Sequence, residues 1–143
     1  MLREVGKFNS ELFRELEDIE NELFDNSFNA TTLEREVRSG ARLWVAGLIC
    51  VEGYMLVRMQ DGIADVLRLG VCPQYQGNGI GSALLKSAVE TFPRLMLSVK
   101  KSNLGAIKLY KHHGFSITGD LGESWTMVTS VGSDTSSRTS RTG

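Results

Sequence analysis

Apolar residues recur every three or four positions near the start of the chain, after a short apolar run at Leu2–Val5 that predicts a strand. Across Leu12–Leu23, four aliphatic side chains share one helical face, and acidic residues occupy most of the other positions. This period predicts an amphipathic helix that buries one stripe, with Asn9 or Ser10 as its N-cap. We expect the acidic residues of this helix to lie on a solvated face.

A second, shorter helix is predicted after the polar, turn-like stretch Asn26–Asn29. Thr31 or Thr32 can cap it, because a side-chain hydroxyl accepts a hydrogen bond from the first free backbone N–H groups. The helix is expected to run through Val37 and to end at Gly40, since glycine readily adopts the left-handed conformation that closes a helix.

The hydrophobic period then changes to that of strands. Arg42–Cys50, Tyr54–Gln60 and Ile63–Val71 are rich in aliphatic and aromatic residues and read as three consecutive antiparallel strands. Asp61 and Gly62 form a two-residue hairpin signal between the second and third of them.

Helix and strand alternate in the second half. The pattern predicts a helix over Gly79–Thr91, a strand over Arg94–Val99, a helix over Asn103–His112, and final strands at Phe115–Gly119 and Ser124–Ser130. The resulting order is β-α-α-β-β-β-α-β-α-β-β, which indicates an α/β fold with a mixed sheet covered by helices.

Composition narrows the possible functions. The 16 Lys and Arg residues nearly balance 17 Asp and Glu residues, so we expect no broad attraction to nucleic acid or to an acidic membrane. No apolar run approaches the length of a membrane span. Residues 1–130 are expected to form one domain, followed by a disordered Ser, Thr, Gly and Arg tail at 131–143.

The two cysteines and two histidines do not have the spacing of a metal site, and we expect none. Cys50 and Cys72 are expected to be small core residues in a reducing, cytoplasmic protein.

One segment has the pattern of a ligand-binding site. After the third predicted strand, a glycine-rich turn containing Gly77, Gly79 and Gly81 opens a helix. Glycines allow close approach of a ligand to the backbone, and the first N–H groups of a helix favour a phosphate. The spacing does not fit a P-loop, which needs GxxxxGK(S/T), and a dinucleotide site would want a third glycine where Ser82 stands. A tight turn without a ligand is the structural alternative.

Here the sequence resembles a known family. Gln76-x-x-Gly79-x-Gly81 is similar to the Q/R-x-x-G-x-G/A signature of GCN5-related N-acetyltransferases (GNAT), which hold the pyrophosphate of coenzyme A. Downstream, Asn103–Phe115 is similar to the N-x-x-A-x-x-L-Y-x-x-x-G-F segment of the same family. The ribosomal-protein N-terminal acetyltransferases look most similar. The resemblance implies that residues 1–130 form an N-acetyltransferase domain, an acyltransferase that uses acetyl-CoA and no metal.

The resemblance also implies the roles of particular residues. The strand before the turn would pair with the pantetheine arm, the turn would hold the pyrophosphate, and the asparagine would contact the cofactor. These residues are Leu69, Gly70, Val71, Gln76, Gly77, Asn78, Gly79, Ile80, Gly81, Ser82 and Asn103.

Two catalytic roles complete the set. Tyr110 matches the general acid of the family, although a plain core aromatic is the alternative. The general base is less well matched, because Ser98 occupies the position where ribosomal-protein acetyltransferases carry a glutamate. Histone-type members carry a glutamate one strand earlier, and the matching residue here is Asp65. The alternative to Asp65 as the base is ordered water that leads to bulk solvent. The structural alternative for Asp65 itself is a solvated residue at the end of a strand, without a catalytic role.

The expected reaction is direct attack of a primary amine on the thioester in a ternary complex. A protein N-terminus or a lysine is the expected acceptor, with a small amine as the alternative. The family resemblance places acceptor recognition in Glu11–Ser39 and Gly119–Ser130. A module that binds acyl-CoA without catalysis also stays open, and the protein could be a monomer or a homodimer.

Overall fold

The computed structural model describes residues 2–6 and 9–130, apart from the side chain of Ser130. The predicted tail at 131–143 lies outside the described residues. The elements in chain order are β1 (Leu2–Glu4), α1 (Ser10–Leu23), α2 (Ala30–Arg38), β2 (Arg42–Ala46), β3 (Gly53–Gln60), β4 (Ile63–Val71), a 3-10 turn (Pro73–Tyr75), α3 (Ile80–Thr91), β5 (Arg94–Lys100), α4 (Leu104–His112), β6 (Ser116–Asp120) and β7 (Ser124–Ser130).

The strands form a seven-stranded mixed sheet in the order β1-β2-β3-β4-β5-β7-β6. The β4–β5 pair is parallel, and β1–β2, β2–β3, β5–β7 and β6–β7 are antiparallel. This architecture confirms the predicted α/β fold and its element order. The hydrophobic pattern did not predict the short 3-10 turn.

The chain packs as two compact units. The described residues of Met1–Arg58 and Leu67–Leu84 form the first, and those of Met59–Val66 and Leu85–Gly143 form the second.

Helices α1 and α2 each begin at an asparagine cap. Asn9 Oδ1 accepts hydrogen bonds from the backbone N–H groups of Glu11 and Leu12, at 3.0 and 3.3 Å, as the sequence predicted for α1. For α2 the predicted threonine caps are wrong. Asn29 lies in an extended conformation and accepts from the N–H of Thr32 at 2.8 Å, so the helix begins two or three residues earlier than expected.

The predicted strand Arg42–Cys50 is too long, because β2 ends at Ala46. Gly47 has φ of +117°, and the chain turns so sharply that a Cβ at Gly47 would lie 2.1 Å from the carbonyl oxygen of Cys50. Leu48 and Ile49 consequently project into solvent. Cys50 is also exposed, which corrects the expectation that both cysteines are core residues, whereas Cys72 is buried.

The hairpin between β3 and β4 forms as predicted. Asp61 and Gly62 both have positive φ, at 53° and 81°. Two successive left-handed residues are the signature of the type I′ turn, whose twist matches that of the flanking strands.

The core of the first unit lies between α1, α2 and one sheet face. It includes Phe13 and Leu16 of α1, Leu33 of α2 and Leu56 of β3. The beginning of α3 packs closely on β3, since a Cβ at Gly53 would lie 2.8 Å from Ile80 Cγ2. Strand β3 therefore has α1 and α2 on one face and the beginning of α3 on the other.

The acidic residues of α1 do not form a uniformly solvated face. Glu20 is fully buried, and Glu15 and Glu17 accept hydrogen bonds from the N–H groups of Val51 and Ala30, at 2.8 and 2.6 Å. These carboxylates satisfy backbone donors of neighbouring segments, which a helical hydrophobic pattern cannot reveal.

The second unit is organised around β5 and β7. Along β5, Leu95, Leu97 and Val99 are buried and alternate with more exposed positions, as expected for a strand with one covered face. The outer strand β6 pairs with β7 through an irregular register between Ile117 and Gly119, which marks a β-bulge.

The sharp turn at Gly47 generates a stability prediction. Gly47→Ala should lower the free energy of unfolding by at least about 2 kcal/mol, because it adds both left-handed strain and a clash with the Cys50 carbonyl. Gly105→Ala, at a helical position with nothing within 4 Å of the added Cβ, should be neutral or stabilising by up to about 1 kcal/mol. Urea denaturation of both variants measures the difference, and equal losses would contradict this account of the turn.

Candidate active site

The end of β4 supplies the extended backbone that the resemblance assigns to the pantetheine arm. Leu69 and Val71 are half-buried, and Gly70 packs so tightly that a Cβ would lie 3.0 Å from Leu23 Cδ1 and 3.1 Å from Tyr54 Cε1. Just beyond the strand, Cys72 donates its N–H to the carbonyl of Glu52 at 2.9 Å. The backbone that enters the turn is thus held on a rigid strand.

The glycine turn joins β4 to α3. The side-chain amide of Gln76 donates to the carbonyl oxygen of Val71 at 3.0 Å, which ties the turn back to the end of the strand. Gly77 and Gly79 have φ of 86° and 81°, a conformation that L side chains rarely adopt. Helix α3 begins at Ile80, and its first intrahelical bond runs from Ala83 N to Gly79 O at 3.0 Å.

This geometry fits a pyrophosphate. The residues Gln76–Gly79 are exposed, and the segment Gln76–Ser82 contains no Lys or Arg. An anion there would be held by backbone N–H groups at the start of α3 and by the helix dipole, which need no cationic side chain. The positive φ angles at Gly77 and Gly79 explain why glycine occupies both positions.

Helix α4 carries the second predicted motif. Asn103 is its N-cap, because Asn103 Oδ1 accepts from the N–H of Ala106 at 3.2 Å. This cap gives the asparagine a structural function that the motif alone did not reveal. Its amide NH₂ is the part of the side chain that could donate to a ligand.

Tyr110 lies in the last turn-and-a-half of α4 and is half-buried. Its ring centroid is 5.8 Å from that of Phe115, with the planes tilted by 56°, so an aromatic contact fixes its orientation. Burial raises the pKa of Tyr110 to about 12. The phenol therefore stays protonated at neutral pH and can donate a proton or a hydrogen bond.

The two positions considered for the base differ in setting. Asp65 lies inside β4, opposite Met96 of β5, and is half-buried, whereas its neighbours Ala64 and Val66 are buried. It is not a residue at the end of a strand. Ser98 is exposed on β5, opposite Thr126. Its side chain is a neutral hydroxyl, not a carboxylate.

A buried polar cluster beside β4 was missed by the sequence analysis. The Glu20 carboxylate accepts hydrogen bonds from Tyr54 OH at 2.6 Å, Phe28 N at 2.8 Å and Arg68 Nε at 3.0 Å. Burial, with the nearby Glu20 carboxylate, raises the pKa of the Tyr54 phenol. The available signal was Glu20 itself, a charged residue four positions after Leu16 on the apolar stripe of α1.

Two further searches concern residues 2–6 and 9–130 only. Within those ranges, no group of three or more His, Cys, Asp or Glu side chains could hold a metal ion. None of the described helices combines the length and the low polarity that crossing a bilayer requires.

Comparison with known proteins agrees with this geometry. A family model described as an acetyltransferase (GNAT) domain matches residues 39–117. The peptidyl-lysine N-acetyltransferase YjaB of Escherichia coli strain K12 is 34% identical over 68% of this chain and 71% of its own length. YjaB of Salmonella typhimurium is 29% identical over 82% of this chain and 84% of its own length.

Solved structures share the fold. The ribosomal-protein-S18-alanine N-acetyltransferase of Escherichia coli superposes with a TM-score of 0.77 at 18% identity, covering 92% of this chain and 94% of that one. The PaiA N-acetyltransferase of Thermoplasma acidophilum, solved in complex with coenzyme A, gives 0.75 at 18% identity, covering 91% and 99%. With the glycine turn, the Asn103–Phe115 segment and these matches in place, the chain belongs to the GNAT acetyltransferase family, whose enzymes transfer an acetyl group from acetyl-CoA to an amine.

Proposed function

We propose that this protein acetylates the ε-amine of lysine residues in protein substrates. The observation that carries the proposal is the exposed glycine turn at the start of α3, in a chain that is 34% identical to a peptidyl-lysine N-acetyltransferase. An N-terminal α-amine and a small polyamine are the other acceptors that the same chemistry would serve.

Acetyl-CoA is proposed to bind at the end of β4 and at the glycine turn. The main chain of Leu69, Gly70 and Val71 would pair with the amides of the pantetheine arm, as one strand pairs with another. Gln76–Ser82 would hold the pyrophosphate through backbone N–H groups. The free NH₂ of the Asn103 side chain would donate to the cofactor.

The transfer is a direct attack in a ternary complex. The lone pair of the neutral amine nitrogen forms a bond to the thioester carbonyl carbon, and the carbon–sulfur bond breaks as the tetrahedral intermediate collapses. The backbone N–H near Val71 is proposed to stabilise the negative charge on the carbonyl oxygen. The attacking nitrogen becomes positively charged on bonding to carbon and releases a second proton to solvent as the amide forms. Tyr110 is proposed to give its phenolic proton to the departing thiolate of coenzyme A and to regain a proton from solvent.

The acceptor must lose a proton before it attacks, because an ammonium group has no lone pair. Asp65 is the proposed base, since Ser98 is a neutral hydroxyl and cannot take this role at neutral pH. A water chain to bulk solvent would serve the same purpose if the Asp65 carboxylate does not reach the amine.

We propose that the protein works in the cytoplasm, as a monomer or a homodimer. Cys50 and Cys72 are both free thiols, which suits a reducing compartment.

Mass spectrometry tests the proposed reaction. The protein is incubated with acetyl-CoA and three acceptors: a peptide with an acetylated N-terminus and one lysine, the same peptide with a free N-terminus and no lysine, and spermidine. Enzyme-dependent addition of one acetyl group to the lysine peptide, with release of free coenzyme A, is expected. Acetylation of only one of the other acceptors would replace lysine as the substrate, and binding of acetyl-CoA without transfer to any amine would refute the enzymatic proposal.

The role of Tyr110 generates a kinetic prediction. Tyr110→Phe should lower kcat by about 10²-fold, because the thiolate then leaves without a positioned proton donor. The Kd of acetyl-CoA should change by less than about twofold, since the ring and its contact with Phe115 remain. Steady-state kinetics and calorimetry give the two values. An equal loss in kcat and in affinity would contradict the general-acid role.

The glycine turn generates a binding prediction with a matched control. Gly79 and Gly62 both have φ of +81° and open space around an added Cβ. Each alanine variant should therefore lose a similar stability, about 1–2 kcal/mol, because the backbone strain is the same. Only Gly79→Ala should weaken acetyl-CoA binding, by at least about tenfold, as its amide lies in the proposed pyrophosphate site. Comparable binding by the two variants in calorimetry would place the pyrophosphate elsewhere.

A further inference from the structure

The connection between α1 and α2 is held against β4 by hydrogen bonds. The connection, Phe24–Asn29, is called here the α1–α2 turn. Its Phe28 N–H donates to the buried Glu20 carboxylate at 2.8 Å. Arg68 of β4 donates to the same carboxylate at 3.0 Å and to the carbonyl oxygen of Asn26 in the turn.

Arg68 also packs between two aromatic rings of the α1–α2 turn. Its guanidinium carbon lies 4.7 Å from the ring centroid of Phe24 and 4.0 Å from that of Phe28. The Arg68 side chain is 18% exposed, and that of Glu20 is fully buried. A single side chain of β4 thus holds the turn directly by a main-chain hydrogen bond and two cation–π contacts. It also pairs with Glu20 of α1, whose carboxylate accepts from the Phe28 N–H of the turn.

Stability alone does not explain this arrangement. Replacing a buried ion pair by apolar residues of similar volume is often neutral or stabilising, because both charges have been removed from water. The pair instead fixes the relative orientation of the groups that it joins, since a planar guanidinium satisfies its hydrogen-bond partners in only one geometry. Arg68 therefore fixes one conformation of the α1–α2 turn relative to β4.

The position of Arg68 on β4 connects this conformation with the reaction. This step rests on the proposed function, in which the pyrophosphate lies at Gln76–Ser82 and the pantetheine arm runs back along Leu69–Val71. The acetyl end of the donor then lies along Leu69–Val71, where the N–H near Val71 is the proposed donor to the carbonyl oxygen, and Arg68 directly precedes this segment in β4. Arg68 holds the α1–α2 turn beside this part of β4. An acceptor that approaches the thioester from the face of the sheet on which the Arg68 side chain lies therefore passes the turn.

We propose that Arg68, paired with buried Glu20, is a positioning residue that holds the α1–α2 turn in the conformation that receives the acceptor. Its proposed effect on the reaction is indirect, through the conformation of the turn. Tyr54 supports it, because its hydroxyl donates to the same carboxylate and its ring packs against Gly70.

The test removes the ion pair while preserving the acceptors that the backbone needs. In the double variant Glu20→Gln with Arg68→Met, the glutamine carbonyl oxygen can take the place of Oε1 and still accept from Phe28 N. Its NH₂ then takes the place of Oε2 and can donate to the Tyr54 hydroxyl oxygen, so folding should be retained. The KM of the acceptor peptide should rise at least about tenfold, since a displaced turn no longer orients the amine. The Kd of acetyl-CoA should stay within about twofold of the unaltered protein.

Two further variants separate positioning from general packing. Arg58→Met removes another ion pair between the sheet and a helix, with Glu36 of α2 at 3.4 Å, and should leave both constants unchanged within about twofold. Arg68→Lys keeps the positive charge but loses the planar guanidinium with its several fixed N–H donors. The KM of this variant for the acceptor peptide should lie between those of the unaltered protein and the double variant.

The outcomes distinguish this inference from the proposed function. An unchanged acceptor KM in a folded double variant overturns the positioning role, and so does an equal loss of donor and acceptor affinity. If the unaltered protein binds acetyl-CoA but acetylates no amine, the proposed function fails first. In that case hydrogen exchange at the Phe28 amide decides the structural part, because faster exchange in the double variant is expected and unchanged exchange contradicts it.

Discussion

One buried carboxylate organises the first unit of this protein. Glu20 lies on the apolar stripe of α1, fully removed from solvent, and its two oxygens receive donors from β3, from β4 and from the α1–α2 turn. An ionised carboxylate in such a setting is tolerated only when its hydrogen-bonding capacity is filled. The three donors must therefore arrive together, and this requirement joins helix, sheet and turn in a single arrangement.

Local signals in the sequence were sufficient to predict most of the fold. The alternation of buried and exposed positions in β5, the Asp61-Gly62 turn and the Asn9 cap each follow from interactions within a few residues. One error was local, because the end of β2 depends on the close approach of Gly47 to the carbonyl of Cys50, three residues later. The burial of Glu20 was missed for another reason: it depends on Tyr54 and Arg68, which are 34 and 48 residues away.

The candidate site shows the same division. The glycine turn could be recognised from sequence, because left-handed backbone demands glycine and a helix start attracts anions. The elevated pKa of Tyr110 could not, since it follows from burial of the phenol in the folded chain. Nor could the motif reveal that Asn103 caps α4, which uses one side-chain oxygen for the helix and leaves the amide hydrogens for other partners.

The bulge between Ile117 and Gly119 has a consequence beyond the site. Strand β6 stands at the margin of the sheet, where a regular strand would offer a continuous row of backbone donors and acceptors to any passing chain. The extra residue interrupts that row and increases the local twist. An edge interrupted in this way is a poorer template for growth of the sheet by further strands than a regular strand would be.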